Sequence, residues 1–315
     1  MSDNFLSDLN GSLGAIEVGA VAGTFLFGIM TLQTFHYYRN FPADSKLLKV
    51  IVGLVWSFEL GHTMSCLHAL YSQTVTFYGS PSHVLSPPPS EDITVLFAAL
   101  IYTIVQIFFA NRVRILSGRP YIMTIACILG LLRLVGHMAI LALLLRYIRV
   151  TILLEWRWLV ITSLSLDLSM DILITASLCY YFWRIRSEHA RMRSTVDTLM
   201  LWTCESTLMT SATSILQMIL FLTRTDLVWV GVFVFQAKIF SNAMLASLNG
   251  RERFRGLDDT EERAGKVTSI AFLATSDGDA HSTVILASPI RAGVSAGIII
   301  PGEAEKTSGG EHRRD

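Results

Sequence analysis

Glu59, Arg133, Asp171 and Lys238 each stand in the middle of a long apolar stretch, two acids and two bases in all. An ionisable group at the centre of a bilayer costs about 2.5–3.5 kcal/mol even on the mildest insertion scale, so each needs a partner or an aqueous cavity. A second tier accompanies them. His62 lies one turn after Glu59, His137 lies four residues after Arg133, and Asp167 lies four residues before Asp171. Residues three or four apart share a helix face, so each pair points one way. Glu205 and Asn242 add polar groups to the sixth and seventh stretches. These side chains are candidates for one polar network, with Glu59 and Asp171 neutralising Arg133 and Lys238. Such a network is either architecture that fixes helix register or a site for a ligand, an ion or a proton.

Two sharper chemistries can be weighed. A lysine midway along a seventh span suits a Schiff base, because desolvation lowers the amine pKa. The third span, Val95 to Asn111, supplies no carboxylate as counter-ion. Glu59-Leu60-Gly61-His62 has the Glu-x-x-His spacing of metal-binding helical bundles, with His68 nearby. Residues 227–249 add no histidine to complete such a set. There is no Gly-rich phosphate loop and no nucleophile elbow. The four cysteines all fall inside apolar stretches, where they pack as small residues and offer no disulfide framework. The expectation is a protein without catalytic or metal motif and without cofactor.

The elements that must position these groups follow from hydropathy. Of 315 residues 52% are hydrophobic and only 16% charged, with a mean hydropathy of +0.50, against roughly 25% charged in a soluble domain. A helix needs about 20 apolar residues to cross the hydrocarbon. Seven stretches, near 14–37, 47–72, 92–111, 121–145, 158–182, 197–222 and 227–249, meet that length. The predicted fold class is an all-α membrane protein, a seven-transmembrane-helix bundle over 14–249. A short extracellular tail (1–13) precedes it, and a mostly disordered cytosolic tail (250–315), rich in Gly, Ser and Thr, follows. At 1.5 Å per residue, Glu59, Arg133, Asp171 and Lys238 fall within about one turn of a common depth.

Basic residues decide the orientation. Thirteen lie in the gaps after spans one, three, five and seven, among them Arg112, Arg114, Arg184, Arg186, Arg251 and Arg253; the opposite side has four, Arg146, Arg149, Arg157 and Arg224. By the positive-inside rule the N-terminus lies outside and the C-terminus in the cytosol. The N-terminus lacks the pattern of a cleaved signal peptide, so the first span is expected to act as the insertion signal. Asn10-Gly11-Ser12 matches a glycosylation sequon on the outer tail. The Gln73–Asp92 connection, with Ser86-Pro87-Pro88-Pro89-Ser90, reads as an extended, proline-stiffened loop. The apolar Val150–Leu154 stretch reads as an interfacial helix on the outer headgroups. No basic patch alternates with aromatics, which excludes a nucleic-acid partner.

Several blocks carry a resemblance. Gly14-Ala-Ile-Glu-Val-Gly19, Leu32-Gln33-Thr34-Phe35, Tyr37-Tyr38-Arg39 and Phe41-Pro42-Ala43-Asp44 form the first. Trp56, Glu59, His62 and Tyr71 follow, then Gln106-Ile107-Phe108-Phe109-Ala110-Asn111-Arg112, and last Lys238-Ile-Phe-Ser-Asn242 through Asn249-Gly-Arg251. Over residues 14–255 the chain resembles basidiomycete fungal membrane proteins that carry a C-terminal domain of unknown function. The resemblance implies the seven-span fold and supplies no mechanism. Topology points to a receptor or sensor, although span seven lacks the Asn-Pro-x-x-Tyr pattern of common receptors. A proton-coupled carrier using the midplane charges and a non-catalytic scaffold are the alternatives. The expected partners are the lipid bilayer, of the plasma membrane first, and a cytosolic protein docked on the basic loops or the tail.

Overall fold

The structure is a computed structural model. It describes residues 2–78, 86, 88–188, 193–224 and 226–250, with side chains described between 11 and 184 and between 205 and 250 of these. The expected tail beyond Gly250, including Arg251 and Arg253, and the Arg186 side chain lie outside the described residues.

Among the described residues helices are the one kind of regular secondary structure, with no strand. The helices are α1 (Ser2–Asn40), α2 (Lys46–Tyr71, continued by a π-helical turn Ser72–Thr76), α3 (Pro89–Ser117), α4 (Tyr121–Tyr147), the one-turn α5 (Ile152–Glu155), α6 (Arg157–Glu188), α7 (Arg193–Thr223) and α8 (Val228–Asn249). Seven are long and apolar enough to cross a membrane: Gly11–Asn40, Lys46–Thr76, Pro89–Ser117, Tyr121–Tyr147, Arg157–Arg184, Glu205–Thr223 and Val228–Asn249. These match the seven hydropathic stretches.

Local chemistry sets the ends. Ser45 caps α2 by accepting from the Leu48 amide at 3.3 Å. α3 starts with Pro89 and carries Glu91 and Asp92 in its first turn, where acids oppose the positive end of the helix dipole. It therefore begins within the stretch expected to be an extended loop. Residues 79–85 and 87 of that stretch lie outside the described residues. Gly118, at φ 66°, closes α3 in the left-handed conformation that glycine adopts freely. Ile148, at φ 51°, does the same for α4 without that freedom.

Two expectations change. The stretch expected as a separate outer tail continues the helix of α1 back to Ser2. The Asn10 sequon thus sits on a helix, and its Ser12 is buried and accepts from the Leu227 amide at 3.0 Å. The Val150–Leu154 stretch, expected as an interfacial helix, forms only the single turn α5, with Leu154 exposed. Val150, Ile152 and Leu153 are buried against the bundle, because α5 is a single turn folded inward between α4 and α6.

Neighbouring helices close a ring in the order α1, α2, α3, α4, α6, α7, α8 and back to α1; α3 also touches α6 and α8. The α1–α8 seam is built from small residues. Ala15, Gly19 and Gly23 recur every four residues, the small-xxx-small pattern that lets backbones approach. A Cβ on Gly19 would collide with the Gly231 carbonyl, and one on Gly231 with the Ala15 carbonyl. Side-chain amides complete the seam: Asn242 donates to the Leu26 carbonyl at 3.1 Å and Asn249 to the Gln33 carbonyl at 2.9 Å.

The core is split in two along the bundle axis. One apolar cluster, with Tyr37, Phe109, Val113, Phe182, Met244 and Leu248, fills the end where α8 finishes. The other, with Ile16, Ile140, Leu144, Val160, Phe221 and Trp229, fills the end where α8 begins. Arg157, one of the four basic residues that oppose the orientation count, has a structural task here. It donates to the Phe221 and Leu222 carbonyls at 3.3 and 2.9 Å, satisfying the end of α7, and lies over the Phe221 ring.

Candidate functional site

The layer between the two clusters holds the intramembrane charges, in two groups. In the first, Lys238 of α8 pairs with the fully buried Glu59 of α2. Its ammonium also donates to the Glu59 carbonyl at 3.2 Å and lies 3.1 Å from His62 Nδ1. An ammonium only donates, so Nδ1 accepts and the imidazole proton sits on Nε2, which finds no partner among the described residues. Ser241, one turn beyond Lys238, donates to the other Glu59 oxygen at 2.5 Å. The aliphatic stem of Lys238 lies against Gly23, with its Cγ 3.7 Å from where a Cβ would be. The small-residue seam thus makes room for the lysine.

The second group runs through five helices. Arg133 of α4 donates to Gln106 Oε1 of α3 and, at 2.8 Å, to Thr103. Gln106 passes the chain on, donating to Asp171 of α6 at 2.8 Å. Ser214 of α7 donates to the other Asp171 oxygen at 2.6 Å, and Gln236 of α8 donates to Ser214 at 2.8 Å. Asp171 is therefore held by an amide and a hydroxyl, not by Lys238. The two acids the sequence groups with Arg133 and Lys238 play different parts: Glu59 makes an ion pair and Asp171 ends a relay. Arg133 instead has Asp167 as its acid, at 3.4 Å, and His137 Nε2 lies 3.6 Å from the same carboxylate.

Above this layer, toward the N-terminal end of α1, lies a cavity of about 90 Å³. Its walls come from the second apolar cluster, including Ile16, Ala20, Leu144, Val160, Leu164 and Val230. Tyr102, His137, Ser163 and Asp167 line it beside the polar layer, whereas Gln73, Glu91 and Asp92 line it at the far end. Along α3, Asp92 and Tyr102 are roughly 15 Å apart at 1.5 Å per residue. Tyr102 Oη, Ser163 Oγ and Gln73 Oε1 are buried atoms without a hydrogen-bond partner among the described residues, and Asp167 Oδ1 has no hydrogen bond there beyond its 3.4 Å ion-pair contact with Arg133. Buried polar atoms are normally hydrogen-bonded, and leaving one unmade costs about 1–3 kcal/mol. Four on one cavity mark it as built for polar company. Gly136 contributes by what it lacks, since a Cβ there would stand 2.5 Å from Ser163 Oγ.

The remaining sequence candidates separate from the site. Glu205 is exposed, not part of the network, because it opens the membrane-length part of α7 on the outer face of that helix. Asn242 is a clamp between α1 and α8. Arg112 is half-buried inside α3, donating to Ser247 of α8 and lying over Phe182 of α6, so it ties helices rather than offering a free docking charge. Arg114 and Arg184 are exposed. Sequence reasoning missed Gln106, Ser214, Gln236 and Ser241 in the layer, and Tyr102 and Ser163 on the cavity. Gln236 carried a usable signal, being an amide in an apolar span at the counted depth of Lys238, whereas Gln106 counts as about 8 Å from the expected end at Asn111 and comes level with the layer only because α3 runs on to Ser117. Among the described residues no group of His, Cys, Asp and Glu is placed to hold a metal ion.

Compared with known proteins, residues 167–253 match a family of unknown function (DUF6534). That segment contains Asp167, Asp171, Ser214, Gln236, Lys238 and Ser241, so it supplies the α6–α8 half of the polar layer. No curated protein and no solved structure matches the chain.

Proposed function

We propose that this is a multi-pass membrane protein of receptor or sensor type, which takes a small amphiphilic molecule into the cavity between its helices. The N-terminus lies outside, as the distribution of basic residues supports, so the cavity occupies the outer half of the bundle. The observation that carries the reading is the apolar cavity bordered by buried, unpartnered polar atoms. Ligand sites in helical bundles have this composition, mostly apolar with a few placed polar groups. The hydrogen-bonded layer supports sensing rather than passage, because it links the cavity to every helix of the ring. Arg133 joins Asp167 to α3, α6, α7 and α8, while Glu59–Lys238 joins α2 to α8 and Asn242 joins α8 to α1. Beyond that layer the next cluster is packed and apolar. The chain carries no catalytic role, and the basic residues of the cytosolic face, the exposed Arg114 among them, face a protein partner.

The test is a thermal-shift screen of a library of small lipophilic compounds against the full chain in nanodiscs. A ligand at a hundredfold excess over its Kd stabilises by about 2.7 kcal/mol, enough to raise the melting temperature measurably. Some compounds should do so, and Ile140→Trp, which fills the cavity, should abolish the effect. No stabilising compound, or equal stabilisation of the filled variant, overturns the reading. Compound uptake by proteoliposomes above that of protein-free vesicles would replace the sensor with a carrier.

A further inference from the structure

The end of the cavity next to the polar layer has a specific donor and acceptor set, and on it we infer that the cavity takes an uncharged amphiphile with a hydroxyl head. The inference rests on the reading that the cavity binds a ligand at all. Three side chains define the head site: Tyr102 of α3, 3% exposed, Ser163 of α6, 2% exposed, and Asp167 of α6, 9% exposed. The Tyr102 and Ser163 hydroxyls are donors as well as acceptors, and Asp167 Oδ1 accepts only. A ligand hydroxyl answers both kinds. Its O–H donates to Asp167 and its oxygen, with two lone pairs, accepts from both Tyr102 and Ser163, so one group answers all three side chains.

Charge selects against the other common heads. Arg133 stands 3.4 Å from Asp167 and His137 3.6 Å, so the carboxylate already has its cation. An ammonium head would bring a second buried positive charge beside the Arg133 guanidinium. A carboxylate head would be set against Asp167 itself. Either one buries a charge without a free partner, which the interior penalises heavily. A plain hydrocarbon fits the walls of Ile16, Leu164, Val160 and Val230 but leaves the buried Tyr102 and Ser163 hydroxyls unsatisfied. A site built around a hydroxyl rejects the analogue without one for that reason.

The experiment uses the full chain in nanodiscs and tritiated n-octanol, with binding to empty nanodiscs subtracted so that only the saturable part is counted. Unlabelled n-octanol, n-octane, n-octylamine and n-octanoate then compete. The alcohol should displace the label, and the other three should need at least about tenfold more. Tyr102→Phe and Ser163→Ala, each removing one hydroxyl, should weaken n-octanol by about fivefold, the loss of a single hydrogen bond. The competition series needs no variant, so a misfolded variant leaves it intact. Saturable binding in which the amine, the carboxylate or the alkane competes as well as the alcohol overturns the head-group assignment and leaves the cavity a ligand site. No saturable binding of any of the four overturns the assignment and counts against the cavity as well.

Discussion

Removing the charge of Lys238 is the sharpest test of how the polar layer is wired. Lys238→Met leaves the Glu59 carboxylate fully buried with only Ser241 donating to it. Breaking a buried pair from one side costs about 3–5 kcal/mol, because the remaining charge stays uncompensated. Glu59→Gln is milder. The ammonium keeps the residue-59 carbonyl at 3.2 Å and His62 Nδ1 at 3.1 Å, and an amide oxygen still faces it. About 1–3 kcal/mol is expected. In the double variant both charges are gone and Ser241 still has an oxygen to donate to, so it should be more stable than Lys238→Met alone. The coupling should be at least about 2 kcal/mol. Reversible unfolding of the full chain in bicelles at rising SDS fraction measures all four states. The control is Asp171→Asn with Lys238→Met, the pairing that depth alone suggests. Those residues share no partner, so their effects should add within about 0.5 kcal/mol. Additivity of Glu59 and Lys238, or strong coupling of Asp171 and Lys238, would refute the wiring.

The α1–α8 seam gives a second expectation. Gly19→Val should cost about 1–3 kcal/mol or prevent assembly, since the new side chain meets the Gly231 backbone, which cannot yield as a flexible side chain would. Gly14→Ala, with open space around it, should melt within a degree or two of wild type by the same surface-substitution logic; equal damage from both would contradict the seam. The α7–α8 loop gives a third. Arg224 donates to Asp226 at 2.6 Å and holds its carboxyl below the ordinary value of 3.8. A carboxyl whose folded pKa is depressed stabilises above its unfolded pKa and stops doing so as the pH falls through the folded one. The melting-temperature gap between wild type and Asp226→Asn should therefore be present at neutral pH and shrink progressively below pH 3.8. A gap that does not change with pH would show that the pair contributes nothing through ionisation.

The sequence by itself determined the seven apolar spans, their approximate ends and the common level along them of Glu59, Arg133, Asp171 and Lys238. Each of these depends on one dimension. A helix rises by a fixed amount per residue, and hydrocarbon tolerates a charge only where something answers it. That is why Glu59, Arg133, Asp167, Asp171 and Lys238 could be grouped before any fold was known. Which of them touch is a matter of rotation about each helix axis and of which helices are neighbours. Those were set by packing: Gly19 against Gly231 draws α8 onto α1, turns Lys238 toward Glu59 and leaves Asp171 to Gln106 and Ser214. Glu205, which counts as nearer the cytosolic end than that group, stands on an exposed face. The cavity was the least legible feature, because it is a shortfall of packing among Ile16, Ile140, Leu164 and Val230 on four different helices. No residue type encodes a space. Tyr102 and Ser163 are ordinary letters in ordinary apolar spans, and only the meeting of α3, α4 and α6 leaves their hydroxyls buried without a hydrogen-bond partner among the described residues.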